Sequence, residues 1–233
     1  MAESQPGNAL ASFRMNAAIG TQGLSEDPIY AMIEKETIAL NLTGVLLDFG
    51  AGVGILTRKL LAMDRFSEVV AADLLPERPV DLKVSKWIHQ DLNEPIPGYD
   101  GYFNVVIASE VIEHLENPRF VARELFRLCR PGGHVILSTP CVESWRSLLA
   151  LAIRGHFVHF DKGWYPGHIT PLVRKDLLRI LTEAGFEPIG FRYSDFGSLP
   201  GRPNRTWQQV SFGMLRGMRF SNNLLVSARK PTG

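Results

Sequence analysis

What the chain lacks narrows it first. Its 233 residues hold two cysteines, Cys129 and Cys141, too few for a disulfide framework or a cysteine-built zinc site and in keeping with a reducing compartment. No apolar run nears the roughly 18–20 residues that cross a bilayer; the longest candidate, Leu148 to Ile153, falls far short. Neither sign of charge is in excess. The 25 Lys+Arg and 24 Asp+Glu leave +1, so no global field draws a polyanion and any nucleic-acid contact would need a local patch. Met1–Asn8 lack the basic start and apolar core of a secretory signal, and there is no internal repeat or low-complexity tract. What remains is ordinary: 45% hydrophobic and 21% charged residues, a globular composition at a length suited to one α/β domain. A cytoplasmic protein is expected.

Residues 1–26, rich in Ala, Ser, Gly, Gln and Asn, read as a flexible N-terminal segment, and 27–233 as a single domain. A helix is expected from Asp27, its carboxylate as cap ahead of Pro28, with Ile29, Ile33 and Ile38 on its apolar face. Short apolar runs follow at 45–47, 69–72, 84–88, 103–108, 134–138, 187–193 and 224–228. Helical stretches lie between them at 55–62, 118–129, 145–153 and 172–184, the second stopped by Pro131-Gly132-Gly133. Strands that are continuously apolar rather than alternating are buried on both faces, so the sheet is parallel and covered by helices. Two irregular insertions, about 141–171 and 194–220, break this rhythm.

The segment Asp48-Phe49-Gly50-Ala51-Gly52-Val53-Gly54 follows the first strand and opens a helix. Glycines there admit positive φ and close approach of a ligand to the free N–H groups of the helix start. Asp73 ends the next strand, where a carboxylate can take both ribose hydroxyls of a nucleoside. A tight turn with no ligand is the plainer alternative. The G-x-G-x-x-G/A spacing of dinucleotide enzymes fails here, because Ile55 stands three residues after Gly52, and no G-K-S/T follows for a P-loop.

The D-x-G-x-G-x-G run resembles that of class I S-adenosylmethionine-dependent methyltransferases. The resemblance extends to Asp91-Leu92 after the third strand, to Phe103–Glu110, and to Arg130–Pro140. It implies a Rossmann-like, doubly wound, seven-stranded α/β sheet with an antiparallel last strand. It also implies S-adenosylmethionine as methyl donor and S-adenosylhomocysteine as product. By the same resemblance Asp48 and the backbone of Gly50, Ala51, Gly52 and Gly54 hold the methionine end and Asp73 the ribose. Leu74 lies on the adenine, Asp91 bonds its amine, Leu92 packs on the ring, and Ser109 and Glu110 face the methyl group.

Glu110, Glu113 and His114 form E-V-I-E-H just after the fourth strand. On a helical turn these positions share a face, and two carboxylates with an imidazole suit Mg2+ or another divalent cation. The arrangement resembles that of ubiquinone-pathway O-methyltransferases and of small-RNA 3′-end 2′-O-methyltransferases. In the RNA group a further histidine lies downstream, with His168 its counterpart here. A metal on Glu110, Glu113, His114 and His168 would orient an acceptor hydroxyl and lower its pKa. Alternatively His114 alone takes the proton, or the cluster is structural. His89 and His134 read as ordinary, and both cysteines as inert.

Both insertions leave the carboxyl edge of the sheet, where ligands of open α/β folds sit, and are expected to form an acceptor pocket and its lid. The first carries Trp145, His156, Phe157, His159, Phe160, Trp164, Tyr165 and His168. The second carries Trp207 with Arg202, Arg205, Arg216 and Arg219 against Asp195 alone. Such a mix suits stacking on a ring and pairing with a carboxylate or phosphate, unless the arginines are merely a solvated face. It does not resemble an RNA platform. The expected reaction is O-methylation of a hydroxyl on a sugar, a glycan of the polysaccharide or lipopolysaccharide type, or a small molecule. The alternatives are a ubiquinone-like or secondary-metabolite O-methyltransferase, a non-catalytic cofactor-binding module, and a nicotinamide-dependent oxidoreductase. Peripheral contact with the inner face of a membrane through Trp145–Ile153 is a further option.

Overall fold

The computed structural model describes residues 6–23 and 25–233. Strands β1 (Gly44–Phe49), β2 (Phe66–Asp73), β3 (Lys86–His89), β4 (Phe103–Ser109) and β5 (Cys129–Pro140) run parallel in the order β3-β2-β1-β4-β5. The last strand, β9 (Asn223–Arg229), inserts antiparallel between β5 and β6 (Glu187–Tyr193), completing seven strands. A two-stranded hairpin, β7 (Ser198–Leu199) with β8 (Arg202–Thr206), stands apart. The expected sheet, with its antiparallel last strand, is the one found.

The apolar runs are explained by a core on each side of this sheet. Leu47 and Phe49 of β1 and Val106 and Ala108 of β4 point to one side. There they meet helices α4 (Pro118–Leu128) and α6 (Arg174–Ala184) through Val121, Leu125, Leu177 and Leu181. Leu46, Val105 and Ile107 point to the other, against Ile29 and Ile33 of α2 (Asp27–Ala39) and Leu56 and Leu60 of α3 (Ile55–Ala62). Each such side chain contributes roughly 1.5–3 kcal/mol when fully buried. With no polar face to show, the strands cannot alternate.

Three local expectations shift. The cap of α2 is Glu26, without a side-chain bond, and Asp27 is already helical. Ile38 faces solvent, since the buried stripe of α2 continues through Glu36 and Thr37. Pro131-Gly132-Gly133 does not precede β5 but bulges within it: Cys129 pairs with Phe103, and pairing resumes at His134 with Val105. A larger difference is the lead segment. Pro6–Thr21, within the segment expected to be flexible, form a helix, α1, and it is anchored at long range. Arg14 pairs with Asp91 at 2.6 Å and Glu116 at 2.9 Å, and Val53 N–H donates to the Gln22 carbonyl. What was expected of residues 1–5 lies outside the described residues.

Candidate active site

At the carboxyl edge, between β1 and β4 where the strand order reverses, lies an open cavity of about 130 Å3. Gly50, Asp73, Leu74, Asp91 and Leu92, five of the residues expected to hold the cofactor, line it. Gly50 must be glycine: its φ is +88°, and a Cβ would run into Val111. Asp73 is buried at the end of β2, accepting from Gly52 N at 2.7 Å and Leu75 N at 2.8 Å. Burial raises its pKa, against the pull of those N–H groups. Asp91 is also raised by burial, but Asn93 and Arg14 outweigh that and hold it below its usual range.

The remaining expected cofactor residues lie behind this wall. Asp48 is buried beneath the glycine turn, where its Oδ2 accepts from Thr57 Oγ1 at 2.6 Å and its Oδ1 has no partner. Desolvation pushes its pKa to about 7. Gly52 donates to Asp73 and packs against Gly23, Gly54 caps α3 at φ +78°, and Ser109 Oγ sits 3.3 Å from Ser138 Oγ. Ala51 is buried in the core with Leu56. A nucleoside-bearing cofactor fits this arrangement: an acid ends each of the second and third strand connections, apolar side chains follow both, and an orphaned acid lies under the turn.

A second cavity, of about 460 Å3, shares Gly23, Glu110, His114 and Pro166 with the first. The acid–histidine motif therefore stands at the seam. Glu110 holds a left-handed backbone, φ +53°, unusual for a residue with a side chain. Its N–H bonds to Ser138 O and Ser138 Oγ, each at 3.1 Å, and Asn223 Nδ2 donates to its Oε2 at 2.9 Å. Val111 then leads into a 3-10 turn, Ile112–His114. Onto this turn the first insertion is stitched: Ile169 N and Thr170 N both bond to the Glu113 carbonyl, and His114 Nδ1 lies 2.9 Å from the Gly167 carbonyl. A carbonyl only accepts, so His114 carries its proton on Nδ1 and keeps the lone pair on Nε2.

Of the four residues expected to hold a metal, three come together. Ligand atoms of Glu113, His114 and His168 lie within 4.8 Å of one another, whereas Glu110 is not in that group and turns to Asn223 instead. Glu113 is fully buried, with Thr139 Oγ1 on its Oε2 at 3.0 Å and nothing on Oε1. Burial, and then the neighbouring carboxylate, raise its pKa well above the ordinary value, and burial likewise raises that of Glu110. The His168 ring is edge-on to His114 at 4.6 Å, with its Nδ1 unpartnered. Burial lowers the pKa of His114, that of His159 to about 4 and that of His168 to about 3. All three rings are neutral near pH 7.

The first insertion walls the second cavity with His159, Trp164, Tyr165 and His168. No residue of 194–220 lines either cavity, so the second insertion and its four arginines stand outside the pocket they were expected to help form. Sequence reasoning missed the contribution of α1. Phe13, Arg14 and Ala18 line the first cavity, Asn16 and Gly20 the second, and the Phe13 ring meets Tyr165 at 5.8 Å. It also missed Asn223, just before the run read as the last strand.

Sheet order, acid placement and the paired cavities define a class I S-adenosylmethionine-dependent methyltransferase domain. A family model described as "Methyltransferase domain" matches residues 29–189, and the chain belongs to that family. It is 29% identical over 143 residues to the ubiquinone biosynthesis O-methyltransferase of Xanthomonas oryzae pv. oryzae, a match covering 56% of this chain and 58% of that protein. The chain thus spans well under two thirds of that relative's length. Among solved structures it resembles a SAM-dependent methyltransferase from Archaeoglobus fulgidus (TM-score 0.60, 17% identity, 88% of this chain and 95% of that one). It also resembles the 1,6-didemethyltoxoflavin-N1-methyltransferase of Burkholderia thailandensis, with bound 1,6-didemethyltoxoflavin and S-adenosylhomocysteine (TM-score 0.57, 17% identity, 99% and 92%). At such identities the structures speak for the fold alone.

Proposed function

We propose that the chain methylates a hydroxyl oxygen of an uncharged, ring-bearing acceptor, a sugar unit of a glycan or a small molecule, with His114 as proton acceptor. One observation carries this reading: His114 stands where the two cavities meet, with Nδ1 committed to Gly167 and Nε2 left with its lone pair. S-adenosylmethionine, when bound, supplies an electrophilic methyl group and leaves as S-adenosylhomocysteine. His114 Nε2 takes the hydroxyl proton as the acceptor oxygen bonds to the methyl carbon, and the neutral state imposed by burial leaves it free to do so. Trp164 and Tyr165 offer ring faces at the mouth of the second cavity. Among the described residues no Lys or Arg lines that cavity, which favours an acceptor without an anionic reacting end. The name of the Xanthomonas relative supports oxygen as the nucleophile; that of the Burkholderia neighbour keeps nitrogen as the competitor.

A second reading has its own support in the unpartnered Glu113 Oε1 and His168 Nδ1. Glu113, His114 and His168 fit a divalent cation, which would orient the hydroxyl and lower its pKa.

Radiolabelled S-adenosylmethionine, the purified protein and a fractionated cell extract, with and without EDTA, separate these readings. Label is expected in a glycan or small-molecule fraction. His114→Gln should lower kcat roughly 10²–10⁴-fold while calorimetry finds S-adenosylhomocysteine affinity unchanged. Full turnover by that variant would remove His114 as proton acceptor. Loss of label with EDTA, restored by Mg2+, would favour the metal reading, and label in RNA would overturn the acceptor class.

A further inference from the structure

We propose that the two insertions together form a docking face for an anionic lipid surface. The first observation is a helix turned inside out. In α5 (Trp145–Arg154), Trp145, Leu149 and Ile153 recur at the four-residue spacing that normally faces a core. All three are exposed, Ile153 to 72%, and the only buried residue of the helix is Ser147. The second insertion repeats the pattern. After the short helix α7 (Trp207–Val210), Phe212 is 94% and Met214 78% exposed. Large apolar side chains this open, gathered on two adjoining segments, mark an interaction site rather than ordinary surface.

The two segments form one unit. α5 packs on the 3-10 turn Met218–Phe220. The Arg219 guanidinium lies 5.1 Å over the Trp145 ring, and its Nη1 bonds to the Glu143 carbonyl at 2.7 Å.

Charge selects the partner. The insertions, 141–171 and 194–220, carry Arg146, Arg154, Arg202, Arg205, Arg216 and Arg219, with Lys162, against three acids, Glu143, Asp161 and Asp195. Among the described residues none of the six arginines forms an ion pair. In a chain of net charge +1, this is a local excess of positive charge bordering exposed apolar groups. An anionic bilayer interface offers both complements at once: phosphate for the guanidinium groups and acyl chain for Ile153, Phe212 and Met214. The face also leads to the second cavity. Val158 N donates to Ser147 Oγ of α5 at 3.2 Å, and the next residue is His159 of the cavity wall. Docking would bring that mouth toward the lipid, where an amphiphilic acceptor lies.

The test is co-sedimentation of the full chain with vesicles of phosphatidylcholine alone and of phosphatidylcholine mixed with phosphatidylglycerol, at low and high salt. Binding to the anionic vesicles, weakened by salt, is expected. Arg202→Gln and Arg216→Gln should each weaken it roughly fivefold, and Phe212→Ser roughly tenfold or more. These side chains are exposed, so thermal melts should stay unchanged and separate lost binding from lost fold. Three results would overturn the proposal. One is no preference for anionic vesicles. Another is undiminished binding by an Ile153→Glu/Phe212→Ser double variant. The third is a dimer, seen by light scattering, that the same variant splits, which would give the face to a second copy of the chain.

Discussion

Asp48→Asn separates what the site costs the fold from what it does for a ligand. Asp48 is 1% exposed, and burial moves its pKa from 3.8 to about 7. Each tenfold change in proton affinity is worth 1.36 kcal/mol. Keeping this carboxylate ionised at pH 8 therefore costs about 4 kcal/mol relative to the unfolded chain. A carboxyl whose folded pKa is raised stabilises least at high pH: its cost is absent below pH 3.8, grows as pH rises, and is complete above about 7. At pH 5 it is about 2 kcal/mol. Asparagine removes that cost but brings one of its own. Its oxygen can keep the Thr57 hydrogen bond, which leaves the amide NH2 where Oδ1 now lacks a partner, at about 2 kcal/mol for an unsatisfied buried donor. The variant should be more stable than wild type by about 2 kcal/mol at pH 8 and no more stable at pH 5, by urea unfolding at both pH values. S-adenosylhomocysteine affinity should fall in the same variant. A variant equally destabilised at both pH values would refute the reasoning, because the burial of Asp48 would then carry no titration cost.

Two further substitutions test the walls of the first cavity. Asp73→Ala removes the acceptor of Gly52 N and Leu75 N along with the carboxylate assigned to the ribose. Calorimetry should find S-adenosylhomocysteine bound roughly ten- to a hundredfold more weakly, and unchanged affinity would end that assignment. Arg14→Ala cuts both ion pairs holding α1 over the cavity. The effect on melting should stay below about 1 kcal/mol, as for partly exposed pairs, while stopped-flow shows faster release of S-adenosylhomocysteine. An unchanged off-rate would mean that α1 does not close the cavity.

The legible parts of the sequence were those whose cause is local. A strand with both faces covered has nowhere to put a polar residue, so Val105 to Ala108 announce a central position by themselves. The glycine turn and Asp73 are likewise set by short-range geometry at two strand ends. The parts that escaped depend on partners far along the chain. Asn223 reaches Glu110 across 113 residues, and Arg14 reaches Asp91 across 77, with no periodicity to announce either. α1 escaped for a further reason: its sequence, rich in Ala, Gly and Asn, carries no marked apolar periodicity, and among its described side chains Arg14 is held by ion pairs and Phe13 by a ring contact. His168 was visible only through resemblance, since nothing in a Tyr-Pro-Gly-His stretch says that its backbone returns to the turn carrying His114.

The distribution of unpartnered groups argues that the seam is a working site rather than a tolerated defect. Folded proteins pair nearly all their buried polar atoms, because each orphan costs about 1–3 kcal/mol. Among the described residues six buried side-chain atoms lack a partner. Five belong to Asp48, Glu110, Glu113, His159 and His168, and the sixth is Thr37 Oγ1. Had packing alone chosen these residues, the orphans would be scattered through both cores. Instead they gather beneath the glycine turn and around the meeting point of the two cavities, on segments as distant in sequence as β1 and the first insertion. The strained backbone of Glu110 falls at the same place. A fold that concentrates half-paired acids and neutral histidines there has what the proposed reading requires, with a cofactor on one side of His114 and an acceptor hydroxyl on the other.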